Sequence, residues 1–335
     1  MARSHLTLAA LATAAVEGLD AHQVASYSTG SNGDFDSAII TGTDGRHCIV
    51  RVPTSEKAEA EQMAELRALH ALSVGVRGRF PFEVTRFVGQ TPVGTTRAVV
   101  TEFVYGSKVR LGSIPAGEGL ATSIGRAIAA IHTLPTSFIV DAGLPVLTPA
   151  ESVRAATTVM DRASSTNLVP AALQRRWEQA AEDSALWQFV PTVVNGSLTA
   201  DSLLVSESEV SGVIGWQGLS VDDPARDLFW LMGAAPGVSD SALDAYQLAR
   251  GSSDRQIAQR ARLYAELELA KWLLHGTQKR DKAVVDDAVA MLHGLVDRVE
   301  GDLGQNITHN TMPVMAVDEV EAMLDERDRR GGSAT

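Results

Sequence analysis

The sequence predicts an α+β fold of two lobes, a small N-terminal lobe built on an antiparallel sheet and a larger, mostly helical C-terminal lobe. Three observations carry this expectation. The chain has 335 residues, longer than one compact domain usually is, so two lobes or two domains are expected. Between residues 27 and 104, turn signals alternate with strand-like runs around one capped helix. From about Gly117 the apolar spacing becomes helical. The expected boundaries are 1–106 for the small lobe, 107–300 for the helical lobe, and 301–335 for a terminal helix with a frayed end.

The elements follow in order. Met1 to Val16 carries one Arg and then a weakly apolar run of Ala and Thr. It imitates a signal peptide but reads better as an opening amphipathic helix. Tyr27 to Asp36 is turn-rich and leads into a short strand, Ser37 to Ile40. Asp44-Gly45 is a hairpin signal, and His47 to Val52 forms its second strand, with Ile49 and Arg51 on one face and Cys48, Val50 and Val52 on the other. Thr54 or Ser55 caps a helix that runs to about Leu72. Arg97 to Val104 reads as a further strand. In the second lobe, Gly125 to Pro135 closes a first helix, Ser252 or Ser253 caps a long helix ending near Gly276, and another spans roughly 282–299. Val317, Val320 and Leu324 give the tail an amphipathic pattern, expected as a docked terminal helix.

Composition narrows the function classes. The formal net charge is -12, which argues against sequence-independent binding to nucleic acid, because that requires Lys and Arg to displace counterions from phosphates. Cys48 is the one cysteine, so neither an internal disulfide nor a thiolate metal cluster can form; a reducing cytoplasm fits. No run approaches the roughly 20 apolar residues of a membrane span. Neither His-x-x-x-His nor Gly-x-Ser-x-Gly occurs, which removes the commonest zinc and hydrolase signatures. Trp177, Trp187, Trp216 and Trp230 read as core residues.

Two segments carry the chemistry. The first is Val194-Asn-Gly-Ser-Leu-Thr-Ala-Asp-Ser-Leu-Leu-Val205. The second is Gly212-Val-Ile-Gly-Trp-Gln-Gly-Leu-Ser-Val-Asp-Asp-Pro-Ala-Arg-Asp-Leu-Phe-Trp-Leu231. They resemble the catalytic core of the aminoglycoside and macrolide phosphotransferase family, in which the first reads HGDLHPGNLLV and the second GVIDWGDASVGDPARDLAWL. The resemblance implies a protein-kinase-like fold. It also places Asn195 where the family has His, Ser197 where it has the catalytic Asp, Ser202 where it has a metal-binding Asn, and Gly215 where it has the second metal-binding Asp.

Phosphoryl transfer needs positioning, a metal to neutralise phosphate charge, and an acceptor for the nucleophile's proton. The Ser197 hydroxyl is neither anionic nor basic near neutral pH, and losing a general base costs on the order of 10² to 10⁴ in rate. Ser202 and Gly215 remove an amide and a carboxylate from the set that would hold Mg²⁺. Asp201 is the possible substitute, with Asp222 a further acid for metal or base. Asp223 and Asp227 read as framework acids, Asp227 by accepting backbone N–H bonds.

In the small lobe, Arg51 stands where kinases carry the phosphate-contacting Lys. Glu65, aligned with Leu69 and Leu72 at i, i+4 and i+7, should point inward as its partner. Gly30 and Gly33 are candidates for a phosphate-cradling turn, and Glu102 to Val104 for a hinge that meets a purine edge. The expected function is a degenerate, pseudokinase-like phosphotransferase acting as a small-molecule-binding or regulatory module, with no metal and no cofactor. One alternative is a divergent ATP- or GTP-dependent phosphotransferase with Mg²⁺, acting on an aminoglycoside, macrolide or sugar through Asp201. Another is a structural subunit with a protein partner. Nucleic acid and membrane are not expected partners.

Overall fold

The computed structural model describes residues 3–27, 33–235, 237–251 and 254–301. The first helix, α1 (His5–Ala15), is capped by Ser4, whose hydroxyl accepts the Thr7 N–H at 3.2 Å. Six strands follow around one long helix: β1 (Ala21–Ser26), β2 (Phe35–Gly42), β3 (His47–Pro53), α2 (Glu56–Ala71), a short α3 (Val74–Arg77), β4 (Glu83–Val84), β5 (Phe87–Val93) and β6 (Thr96–Glu102). The main sheet has the order β1-β2-β3-β6-β5, with every pair antiparallel. Gly45 takes φ +80° in the β2–β3 turn, the conformation the Asp-Gly signal anticipates.

Two strands of this main sheet were not legible in the sequence. β1 has no clean alternation, and β5 contains Gly89 and Pro92. Both lie at the sheet edges, where a missing N–H breaks no ladder. Gly89 has a second reason to be glycine: a Cβ there would lie 2.0 Å from the Ala15 carbonyl oxygen, so α1 crosses the sheet at backbone contact.

The sheet divides its two faces as the alternation in β3 predicts. Cys48, Val50 and Val52 join Leu8, Ala12 and Ile40 in a core beneath α1. Ile49 and Arg51 point the other way, toward α2 and the second lobe. Ser55 caps α2 through the Ala58 N–H at 3.2 Å. β6 ends at Glu102 rather than Val104.

The second part of the chain is mostly helical: β7 (Ser107–Lys108), α4 (Leu120–His132), α5 (Ser137–Asp141), α6 (Pro149–Ser164), α7 (Ala171–Glu182), β8 (Thr192–Val194), β9 (Leu203–Ser206), β10 (Glu209–Val213), β11 (Ser220–Asp222), α8 (Val238–Arg250), α9 (Ile257–Lys279) and α10 (Lys282–Gly301). α4 buries Ile124, Ile128 and Ile131, and Gly125 lets it touch α8, because a Cβ would sit 2.1 Å from the Ala242 carbonyl oxygen. The long helix starts at Ile257 with Gln256 at its N-cap, later than expected; Ser252 and Ser253 lie outside the described residues. It passes Gly276 and stops at Lys279, where Arg280 turns the chain with φ +55°. Gly276 stays helical because α10 packs on it, with Val284 and Val285 side-chain carbons 2.9 Å from a built Cβ. Gly30, Val317, Val320 and Leu324 also lie outside the described residues.

Short ladders position the two motif segments. β8 pairs with β11, and β9 with β10, each antiparallel. β4 runs parallel to β10 and so ties the small-lobe chain to the second motif. Trp177 is buried with its Nε1 donating to Glu266 at 2.9 Å, and the Trp187 indole donates to the Ala180 carbonyl at 2.8 Å. Trp216 and Trp230 are buried beside the motifs. All four are core residues, as expected.

Candidate functional site

Asp227 organises the loop after β8. It is fully buried and accepts the backbone N–H of Asn195 at 2.7 Å and of Gly196 at 2.8 Å. His132, at the end of α4, sits 3.2 Å from the same carboxylate and places its other ring nitrogen 2.9 Å from the Tyr246 hydroxyl. A buried carboxylate needs such donors. Sequence reasoning found Asp227 but not His132, whose one signal was its place in Ile131-His-Thr-Leu-Pro135.

Gly196 takes φ +74° and meets Gly218 backbone to backbone, with a Cβ only 2.2 Å from the Gly218 carbonyl oxygen. The two motif loops therefore touch. Asp223 accepts from Arg260 at 2.8 Å, from Tyr264 at 3.1 Å and from the Ala225 N–H at 2.9 Å. Burial pushes its carboxyl up despite the Arg260 guanidinium beside it. Asp223 thus pins the second motif to α9, a framework role that Arg260 shares.

The replaced residues close on one another. Asn195 Oδ1 accepts from both the backbone N–H and the hydroxyl of Ser197, each at 3.1 Å. Asn195 Nδ2 donates to the Gly215 carbonyl at 3.0 Å, and the Ser197 hydroxyl lies 3.1 Å from that same oxygen. A hydroxyl has one proton to give, and both acceptors within reach are internal. Ser202 is engaged as well, accepting the Thr199 N–H at 3.2 Å in a short helical turn. Gly215 takes φ +75°.

Between the lobes lies a cavity of about 400 Å³, within the range of small-molecule sites. Arg51, Glu65, Ser197, Asp201, Ser202 and Gly215 all line it. Arg51 donates to Glu65 at 3.0 Å, both half-buried, so the ion pair expected between strand and helix forms. The Arg51 guanidinium lies 3.9 Å from the Phe35 ring centre, a cation–π contact. Tyr27 is in the same wall, and burial pushes its phenol up, with Arg51 pulling it down and Glu65 adding to the rise.

Other sequence candidates fall elsewhere. Glu102 and Val104 do not line the cavity. Glu102 pairs across the sheet with Cys48 while Thr101 pairs with Ile49, so the period of two turns Thr101 to the cleft and Glu102 away, near Arg86 at 3.7 Å. Val104 packs over Gly212. Gly33 takes φ +78° and its carbonyl accepts the Thr54 hydroxyl at 2.8 Å. Asp222 is buried, held by Ser152 at 2.8 Å and Arg226 at 2.9 Å. It does not converge with Asp201.

Mg²⁺ wants an octahedron of oxygens in which one or two carboxylates join substrate phosphates. The residues here do not fit it in the usual way. Gly215 offers no side chain, Ser202 is neutral and engaged, and Asp201 is the single carboxylate that the two motif loops bring to the cavity. Among the described residues no group of three or more His, Cys, Asp or Glu could hold a metal ion.

A five-stranded antiparallel lobe, a mostly helical partner and a cleft walled by two touching motif loops define a phosphotransferase-like architecture. The profile of the phosphotransferase enzyme family (APH) matches residues 30–273, and the chain belongs to this family. Among solved structures, the macrolide 2'-phosphotransferase MphH from Brachybacterium faecium is similar, with 21% identity and a TM-score of 0.72 over 86% of this chain and 97% of that one. A macrolide 2'-phosphotransferase type I is 25% identical, with a TM-score of 0.68 over 87% and 98%. The GDP complex of an aminoglycoside 2'-phosphotransferase-IIIa is 16% identical, with a TM-score of 0.71 over 89% and 100%. No curated protein sequence matches.

Proposed function

We propose that this phosphotransferase-family protein has lost ordinary metal-dependent phosphoryl transfer and acts as a small-molecule-binding or regulatory module through the cavity between its lobes. The carrying observation is the closed set of hydrogen bonds among Asn195, Ser197 and Gly215. At the positions where the family has His and two Asp, this chain has a buried amide, a hydroxyl and a glycine that satisfy one another. Electrostatic stabilisation and proton acceptance dominate this chemistry, and neither is offered by that set. The scaffold around it is retained: Asp227, Asp223 and the Arg51–Glu65 pair are all engaged. Drift at one position would not leave a self-satisfied loop within an intact frame.

A second reading has its own observation. Asp201 is exposed and lines the cavity beside Ser197 and Ser202. A divergent enzyme using it with ATP or GTP and Mg²⁺, on a hydroxylated substrate such as a macrolide, aminoglycoside or sugar, is the rival. A purely structural subunit is less well supported, since side chains leave about 400 Å³ of the cleft unfilled. No described helix is long and apolar enough to cross a membrane, and the buried lone thiol of Cys48 fits a reducing cytoplasm.

Calorimetry with ATP and GTP, with and without Mg²⁺, decides between the readings. Binding indifferent to Mg²⁺, or none, supports the degenerate reading. Tight Mg²⁺-dependent binding followed by phosphate transfer at ordinary kinase rates overturns it.

A further inference from the structure

The helical lobe carries a groove of its own, of about 760 Å³, bounded by α8, α9 and α10. Among the described residues it shares no lining residue with the cavity between the lobes. Met232, Leu243, Leu269, Met291 and Leu295 make its floor apolar, and Met291 is 45% exposed. Gly294 of α10 also lines it, and a Cβ built there meets nothing within 4 Å. Gly125 and Gly276 each serve a close helix contact, whereas Gly294, at about 1 kcal/mol against alanine in a helix, leaves its space open. The rim is basic. Arg176, Arg262 and Arg298 line the groove together with Asp240 and Glu266. Arg176 and Glu266 hold each other at 3.0 Å, which sets Arg262 and Arg298 against one acid, the exposed Asp240. Among the described residues neither of these two arginines makes an ion pair or a hydrogen bond. Arg262 is half-buried, where a charge without a partner is costlier than one in open water.

A second, independent observation is what the chain carries next. Arg298 stands in the last turn of α10, which ends at Gly301, so residues 302–335 leave the described structure beside this groove. They include Pro313-Val-Met-Ala-Val-Asp-Glu-Val-Glu-Ala-Met-Leu-Asp-Glu326, with five acidic residues and no Lys or Arg. At helical spacing Ala316, Val317, Val320, Met323 and Leu324 share one face, and Glu319 and Glu321 border it on either side. Pattern and charge therefore complement an apolar floor with a basic rim. Residues 302–312 reach roughly 35 Å when extended, while Met291 to Arg298 covers only about 10 Å along α10. The connection is long enough to fold back.

We propose that residues 313–326 dock on this groove within the same chain as an amphipathic helix. Its apolar face covers the floor at Met291 and Leu295, and its acidic borders meet Arg262 and Arg298. This goes beyond the reading of the interlobe cavity and stands whether or not that cavity transfers phosphate.

The test is amide hydrogen exchange on the full chain, with sedimentation velocity to follow its oligomeric state. Exchange at residues 316–324 should be at least about tenfold slower than in the variant Val317→Asp, Val320→Asp, Leu324→Asp, whose changes all lie in the tail. Gly294→Glu fills the groove, repels the acidic segment and offers Arg298 a partner four residues away. It should abolish the protection without lowering the unfolding midpoint, since glutamate favours a helix more than glycine does. Arg262→Gln should reduce the protection about threefold. With methionine ε-methyl groups labelled, the Met291 resonance should move in the tail variant while that of Met63, in the other lobe, stays in place. Exchange at 316–324 as fast as in the tail variant, or an unmoved Met291 resonance, would overturn the proposal. Protection that survives both Gly294→Glu and Arg262→Gln would place the segment elsewhere and overturn it too. Protection that disappears on dilution as a dimer dissociates would mean that the segment occupies the groove of a second copy, which also overturns docking within one chain.

Discussion

Replacing Asp227 by Ala tests whether the retained frame is held by one carboxylate. The side chain is fully buried and satisfies two backbone N–H groups, at 2.7 and 2.8 Å, with His132 at 3.2 Å. Removing it leaves those donors in a dry site. Each orphaned buried donor costs about 1–3 kcal/mol, and because the group lost is charged the total should be about 3–5 kcal/mol. That is a large part of the roughly 5–15 kcal/mol of a typical fold. Asp227→Asn keeps one acceptor and should lose less. His132→Ala removes a single partner and should lose about 1–2 kcal/mol. Urea unfolding reads this as a fall in midpoint at constant slope, and amide exchange should quicken first at Asn195 and Gly196. A loss below about 1 kcal/mol for Asp227→Ala, or unchanged exchange at both amides, would refute the reasoning.

Three further outcomes are expected. The triple variant Ser197→Asp, Ser202→Asn, Gly215→Asp should gain Mn²⁺ binding detectable by electron paramagnetic resonance, while single changes should not; at Gly215 a Cβ meets nothing nearer than Gln217 Oε1 at 3.5 Å, and φ +75° adds about 1 kcal/mol of strain. Gly125→Ala should cost about 1–3 kcal/mol in thermal or urea unfolding, because its methyl would strike the α8 backbone at Ala242. Glu151 lies at the start of α6, where the Thr148 N–H and hydroxyl hold its carboxyl below the usual value. Its folded value is lowered, so its stabilisation is present above the unfolded value and fades as pH falls through the folded one. Glu151→Gln should therefore be less stable than the parent at neutral pH and converge with it in acid.

Much of the frame was legible because it depends on spacing along one element. The period of two in β3 sends Cys48 to the α1 core and Arg51 to the cleft. The i, i+4, i+7 row in α2 likewise turns Glu65 inward, and the Arg51–Glu65 pair follows. Edge strands β1 and β5 were hidden because an edge tolerates glycine, proline and broken alternation. The start of α9 was misread because serine is a good cap wherever it stands, and the chain instead begins its helix after Gln256.

The sequence by itself carries the expectation of altered chemistry: in the segments 194–205 and 212–231, Ser197, Ser202 and Gly215 stand where the family pattern has groups that bind metal or take a proton. Only the tertiary structure decided what the neighbouring groups do instead. Asp201 and Asp222 are equally acidic in sequence, yet one faces the cavity and the other is buried against Ser152 and Arg226. His132 meets Asp227 across 95 residues of chain. Asn195, Ser197 and Gly215 close on one another because Gly196 and Gly218 let two loops touch at backbone distance. A local period fixes which face of an element a side chain takes, but which face meets which is set by packing between elements distant in the chain.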